Sequence, residues 1–183
     1  MSSLAENLIA QVLSAGALRA APIPASDVVT SAAFRDMCAD NRCGMYGKCW
    51  VCPPAVGEID DLMARIRTYD MGVLYQTVGE LEDSFDIEGM IESKRIHSEL
   101  SQRIEGMLRE TFPGDYLHLS AGGCKLCERC AILDDKPCRF PDRAISSLEA
   151  YGIDVYQTTC KTPLKYINGQ NTVTYFGLIL YRE

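Results

Sequence analysis

Hydrophobic positions recur along the chain with two periods, and the changes from one to the other mark out its elements. From Ser3 to about Leu18, the residues Leu4, Leu8, Ile9, Val12 and Leu13 fall on one helical face, with Ser2 or Ser3 placed to cap it. The stretch Ala17 to Ile23 reads as a short strand before Pro24, and Ser26 to Phe34 as a short helix leading into a run of cysteines. Beyond Cys52-Pro53-Pro54, the positions Ile59, Leu62, Met63 and Ile66 have helical spacing, and Met71 to Val78 is a strand-like apolar run. Ile96, Leu100, Ile104 and Leu108 stand four apart within Asp86 to Thr111, which predicts a long amphipathic helix ended by Pro113-Gly114.

Tyr116 to Leu119 reads as the next strand, after which Ala121-Gly122-Gly123 allows the tight turn into Cys124. Asp142 to Tyr151, with Ala144, Ile145 and Leu148 on one face and Gly152 at the stop position, predicts a further helix. Thr172 to Tyr181 carries apolar residues on both parities, Val173, Tyr175 and Ile179 against Phe176, Leu178 and Leu180, as a central strand covered on both faces requires. The expected fold is an α/β (α+β) sandwich: a mixed or antiparallel sheet of about four or five strands with packed helices. Two cysteine-rich loops, 38–54 and 122–141, project from this single metal-binding domain spanning 1–183.

Composition changes that picture in one respect. With 183 residues and 47% apolar content the chain buries an ordinary core without cross-links, yet it carries nine cysteines. No stretch approaches the roughly 20 apolar residues of a membrane span. The first residues carry Glu6 where a secretory signal is basic, so a cytoplasmic, reducing location is expected and metal binding outranks disulfides. A net charge of −7 opposes non-specific phosphate binding, so no nucleic-acid role is expected; acidity suits a redox carrier docking on a basic partner.

Cys124, Cys127, Cys130 and Cys138 form a C-x2-C-x2-C-x7-C array, and successive x2 spacings point three thiolates at one compact object. That habit belongs to [4Fe–4S] clusters, whereas zinc sites commonly use separated cysteine pairs. The bacterial ferredoxin run ends with x3 and Cys-Pro, while here x7 intervenes and Pro137 precedes the cysteine, so Cys138 either closes this cluster or reaches a neighbouring centre. Lys125, Arg129, Lys136 and Arg139 interleave with acids; the reading as solvated surface charge outranks compensation of cluster charge.

The earlier segment holds Cys38, Cys43, Cys49 and Cys52, too dense for chance, with a spacing that does not choose between iron–sulfur and zinc. Pro53-Pro54 stiffens the exit from Cys52, and Tyr46 and Trp50 are placed either to shield a centre or to fill the core. Cys160 reads as a buried thiol rather than a ligand, His97 as a surface residue, and His118 as a weak candidate ligand or hydrogen-bond donor. Neither a Ser-His-Asp constellation nor a phosphate-binding glycine loop stands out.

The chain resembles the family of predicted metal-binding, cysteine-rich proteins named domain of unknown function 2284, found mainly in anaerobes. Tyr46-Gly47-Lys48, Trp50 and Cys52-Pro53-Pro54 carry the match, with Gly122-Gly123-Cys124-Lys125-Leu126-Cys127, Cys130, Pro137-Cys138-Arg139, Ser147, Glu149-Ala150 and Gly152-Ile153-Asp154-Val155. The resemblance implies metal binding, and it implies that Cys38, Cys43 and Cys52 belong to the family pattern while position 49 varies. Three thiolates would leave one iron open; Cys49 as a fourth would close the centre.

Three functions follow as expectations. The first is a protein with two iron–sulfur centres that passes electrons to a partner redox enzyme. The second is an iron–sulfur oxidoreductase whose open centre reduces or activates a small-molecule substrate. The third is a zinc-stabilised interaction module.

Overall fold

The structure, a computed structural model, describes residues 3–112 and 114–183. Five strands form one mixed sheet: β1 (Arg19–Pro24), β2 (Met71–Glu80), β3 (Tyr116–Ser120), β4 (Ser146–Ser147) and β5 (Thr172–Tyr181), in the order β1-β2-β5-β3-β4. All neighbours are antiparallel except β3 and β4, which pair in parallel through Leu119 with Ser146 and Ser120 with Ser147. The helices are α1 (Ser3–Ala15), α2 (Ala33–Ala39), α3 (Ile59–Ile66), α4 (Ile87–Thr111) and α5 (Val155–Thr159). The expected sandwich with a mixed sheet is therefore present. Among the described residues no helix is long and apolar enough to cross a membrane.

The double parity of Thr172–Tyr181 has the cause expected of it. β5 pairs with β2 along its whole length, from Met71–Tyr181 to Glu80–Thr172, and with β3 on its other edge. Its residues then alternate between two cores. Ile179 and Tyr181 join Val73 and Tyr75 of β2 beneath α1 and α4, packed on Leu8, Val12, Leu100, Ile104 and Leu108. Phe176, Leu178 and Leu180 face the opposite way, with Ile23, Leu74, Leu119, Leu148 and Ile153, under α3. Fully burying each such side chain contributes roughly 1.5–3 kcal/mol.

Four expectations are corrected. Ser26–Phe34 is not one helix: a 3-10 turn covers Ala25–Asp27, an isolated bridge joins Thr30 to Ile153, and α2 begins at Ala33. Asp142–Tyr151 is not helical either. Its Ser146-Ser147 backbone is taken by the edge of β3, and only Glu149–Tyr151 turns, as a 3-10 segment stopped by Gly152 at φ 75°. Ile96 is exposed, and its neighbour His97, expected at the surface, is 1% exposed. Helix α4 turns a second stripe inward one position on, His97, Ser101 and Glu105, at i, i+4 and i+8. The Asp86 carboxylate caps α4 by accepting from the Gly89 N–H at 2.8 Å. The suggested caps of α1 and the stop at Pro113 lie outside the described residues or side chains.

Candidate metal centre

The two cysteine loops start from different elements, the second from a strand and the first from a helix. The second follows directly from the end of β3, where Gly122 takes φ 76° and turns the chain away from the strand. The first runs from the last turn of α2, which contains Cys38, through a series of hydrogen-bonded turns to α3. Within it, the Gly47 N–H donates to the Pro53 carbonyl at 2.8 Å and the Cys52 N–H to the Cys49 carbonyl at 3.1 Å. The Tyr46 N–H donates to Asn41 Oδ1 at 3.0 Å, and Asn41 itself sits at φ 53°. Asn tolerates that left-handed conformation better than other side chains.

The two loops are tied together. Trp50 Nε1–H donates across to the Lys136 carbonyl at 2.9 Å, so Trp50 neither fills the core nor stands alone as a shield. Gly123 lies against the first loop so closely that a Cβ there would sit 3.1 Å from Met45 and 3.5 Å from the Cys52 sulfur. A side chain at position 123 would require Met45 to give way by a few tenths of an ångström.

All nine cysteines are free thiols. Cys49 and Cys52 are buried, at 2% and 7% exposure; Cys38, Cys124, Cys127, Cys130 and Cys138 are partly exposed, and Cys43 and Cys160 are exposed. Exposure of Cys160 corrects its reading as a buried thiol. A small cavity of about 20 Å³ is bordered by Cys49 of the first loop together with Cys124, Cys127, Cys130 and Cys138 of the second. Leu126, Phe140 and Val51 complete its apolar wall. Sequence spacing assigned Cys49 to the first segment; the fold brings it to the second.

The Cys49 sulfur is where the two sets meet. Hydrogen bonds from the Cys124 and Cys52 thiols, with backbone N–H groups of Val51 and Cys124, hold its pKa far below the usual thiol range. The same contacts push Cys52 and Cys124 up, with burial adding to each. One thiolate accepting from two thiols is the arrangement that satisfies all three. Cys38 is raised by burial and then by the negative charge of the half-buried Glu149, while Cys38 and Cys43 both act electrostatically on Cys52. Cys38, Cys43 and Cys52 thus form one neighbourhood, and Cys49 with the Cys124–Cys138 array forms the adjoining one.

Two of the interleaved basic residues, expected as solvated surface charge, fasten the second loop. Arg129 pairs with Asp134 at 3.0 Å, and Arg139 donates to the Arg129 carbonyl at 2.8 Å. Among the described residues no three His, Cys, Asp or Glu side chains close on a single point tightly enough for a metal ion. The donor chemistry still fits a soft metal: free thiols from two loops, apolar walls, and backbone N–H groups on sulfur.

Sequence reasoning missed a polar group inside the helix face of the sheet. His118 of β3, expected as a ligand or a hydrogen-bond donor, takes the hydrogen-bonding role: Nδ1 lies 2.9 Å from Glu105 Oε2 and Nε2 2.8 Å from the Tyr75 hydroxyl. Tyr75 is also 2.9 Å from Ser101 Oγ, which lies 2.7 Å from Ser120 Oγ. Gly177 of β5 leaves the space that the Tyr75 ring fills. The only sequence signal was the polar i, i+4, i+8 stripe on α4, which looks like an ordinary wet face.

A family model described as predicted metal-binding protein (DUF2284) matches residues 21–181. Searches of curated proteins and of solved structures each gave no match.

Proposed function

Because the chain belongs to this family of predicted metal-binding proteins, we propose that it is a redox protein whose two cysteine loops hold adjacent iron–sulfur centres. Cys124, Cys127, Cys130 and Cys138 would hold a [4Fe–4S] cluster, and Cys38, Cys43 and Cys52 the second centre. One observation carries the reading: five thiols from two distant segments border one apolar-walled cavity. A structural zinc needs four donors and no more, whereas two neighbouring clusters account for the surplus. When bound, such clusters supply one-electron transfer at potentials tuned by N–H groups on sulfur and by burial. The chain's part is to hold the thiols, exclude water with Leu126, Phe140 and Val51, and lock the loops through Trp50. Electrons would pass to a partner redox protein.

A second reading, an enzyme with an open centre, draws support from the grouping of Cys49 with the second loop. That grouping leaves three thiols for the first centre and one coordination position for a small-molecule substrate.

Purification without oxygen, followed by iron, sulfide and zinc analysis, tests the proposal. About eight irons and eight sulfides per chain are expected for two [4Fe–4S] centres. Colourless protein carrying zinc and no sulfide overturns it in favour of a zinc-stabilised module.

A further inference from the structure

The polar group under α4 is not sealed inside the core, because it opens at each end on a different cavity. Ser101 and Ser120 line a cavity of about 810 Å³ that also contains Cys124, with Ile91, Leu126 and Ile145 as apolar walls. Glu105 and His118 line another, of about 620 Å³, shared with Trp50 and Arg109. The larger lies in the size range of small-molecule sites, and its two buried hydroxyls converge from α4 and β3. Lys94 and Lys125 border it and bring positive charge.

Chemistry fixes how the buried groups can share hydrogens. A carboxylate only accepts, so Glu105 orients the Nδ1–H of His118 towards itself, which leaves Nε2 facing the Tyr75 hydroxyl. Burial raises the Tyr75 pKa, so it stays a hydroxyl and both donates and accepts. Ser101 and Ser120 continue the line to the cavity at 2.9 and 2.7 Å. Ser101 has a second acceptor, the His97 carbonyl at 3.0 Å, so rotation of one hydroxyl makes or breaks the line.

We propose that the cavity beside Cys124 binds a small molecule with an apolar body and an ionisable hydroxyl, and that His118 takes its proton through Ser120, Ser101 and Tyr75. The inference goes beyond the second reading above, with which it shares only a small-molecule substrate: this cavity borders Cys124 rather than Cys38, Cys43 or Cys52, and the proton path needs no metal. The ligand O–H bond breaks as its hydrogen passes to Ser120 Oγ. Ser120 gives its own hydrogen to Ser101, Ser101 to Tyr75, and Tyr75 to His118 Nε2. The products are a ligand anion beside Lys94 and Lys125 and an imidazolium whose Nδ1–H faces the Glu105 carboxylate. Ser120 takes the ligand's proton directly; Ser101, Tyr75, His118 and Glu105 act through it. The other titratable groups around His118 are Tyr116 on its strand, His97 and Arg109 on α4, and Arg65, Asp142 and Tyr151 across the smaller cavity.

The test uses 4-nitrophenol, whose phenolate and phenol forms have different absorption spectra, added to anaerobically purified full-length protein below the phenol's own pKa. Difference spectra should show wild type binding it as phenolate. Tyr75→Phe keeps the ring but cuts the line, and should bind the phenol with similar affinity while the ionised fraction falls about tenfold, one pH unit of proton affinity. Ser101→Ala cuts the line one step nearer the cavity and gives the same answer should Tyr75→Phe not fold. A phenolate signal unchanged in the line-cut variant overturns the path, and absence of phenol binding to wild type overturns the site. Iron and sulfide are assayed in the same samples. Metal-free wild type that still ionises the probe counts against the iron–sulfur reading and leaves this one standing.

Discussion

Cys49 shows how much turns on a single side chain. Its sulfur accepts from Cys124 and Cys52, so removing it leaves two thiols without their shared acceptor but removes none of the thiols proposed as ligands. Cys49→Ala should therefore keep the full iron content, while Cys127→Ser should remove one centre's electron paramagnetic resonance signal and about half the iron, since a serine oxygen replaces a soft thiolate poorly. Loss of iron in Cys49→Ala would instead make Cys49 a ligand. The density of the first cysteine segment was legible in the sequence, but the side to which Cys49 turns was not. That depends on Gly123 and Trp50 drawing two loops together across the chain, which no local spacing encodes. Gly177 is a comparable case in the core. A methyl group there meets the Tyr75 ring, so Gly177→Ala should destabilise the fold by about 1–3 kcal/mol in chemical denaturation.

At the scale of elements, α4 and β5 were the most legible because their patterns are long. β5 advertised its central place through apolar residues on both parities, and Leu100, Ile104 and Leu108 fixed the apolar stripe of α4. The polar stripe beside it was invisible, since His97, Ser101 and Glu105 at helical spacing look the same wet or buried. Tertiary partners decide the matter: Thr77 Oγ1 lies 2.9 Å from His97 Nδ1, and Nε2–H donates to the Phe176 carbonyl at 3.1 Å. Burial lowers the His97 pKa from 6.5 to about 4. The unfolded chain then binds more protons than the folded one between those values. The stabilisation is fully present above pH 6.5 and is lost as pH falls towards 4. The difference in stability between wild type and His97→Gln should shrink across that window by up to about 3 kcal/mol. A difference that does not vary with pH would mean that His97 is charged in the fold. The segment Asp142–Tyr151 failed for a different reason: helical propensity is weak, and two backbone pairings to β3 outweighed it.

For the molecule as a whole, the sheet and its two cores draw on residues outside both cysteine loops. Removing metal should therefore loosen the loops and spare the sheet. After chelation, amide hydrogen exchange is expected to rise over residues 38–57 and 121–145 and to stay slow in β2 and β5. Equal loss of protection in the strands would show that metal holds the fold together, as it does in small zinc domains.

The two-residue strand β4 gives that separation its physical basis. By pairing Leu119 with Ser146 and Ser120 with Ser147, it pinches shut the neck of the excursion over residues 121–145. The entropy of bringing those ends together is met by the strand edge rather than by the thiols, and a flexible loop's closing cost grows only as the logarithm of its length, about 0.6 kcal/mol per doubling. Residues inserted near Asp134-Asp135 should therefore cost little stability, whereas Leu148→Pro, which removes the N–H that donates to the Ser120 carbonyl at the neck, should free the whole loop at once. Such a loop behaves as a cartridge clipped to a chassis, which lets its contents change without redesign of the sheet that carries it.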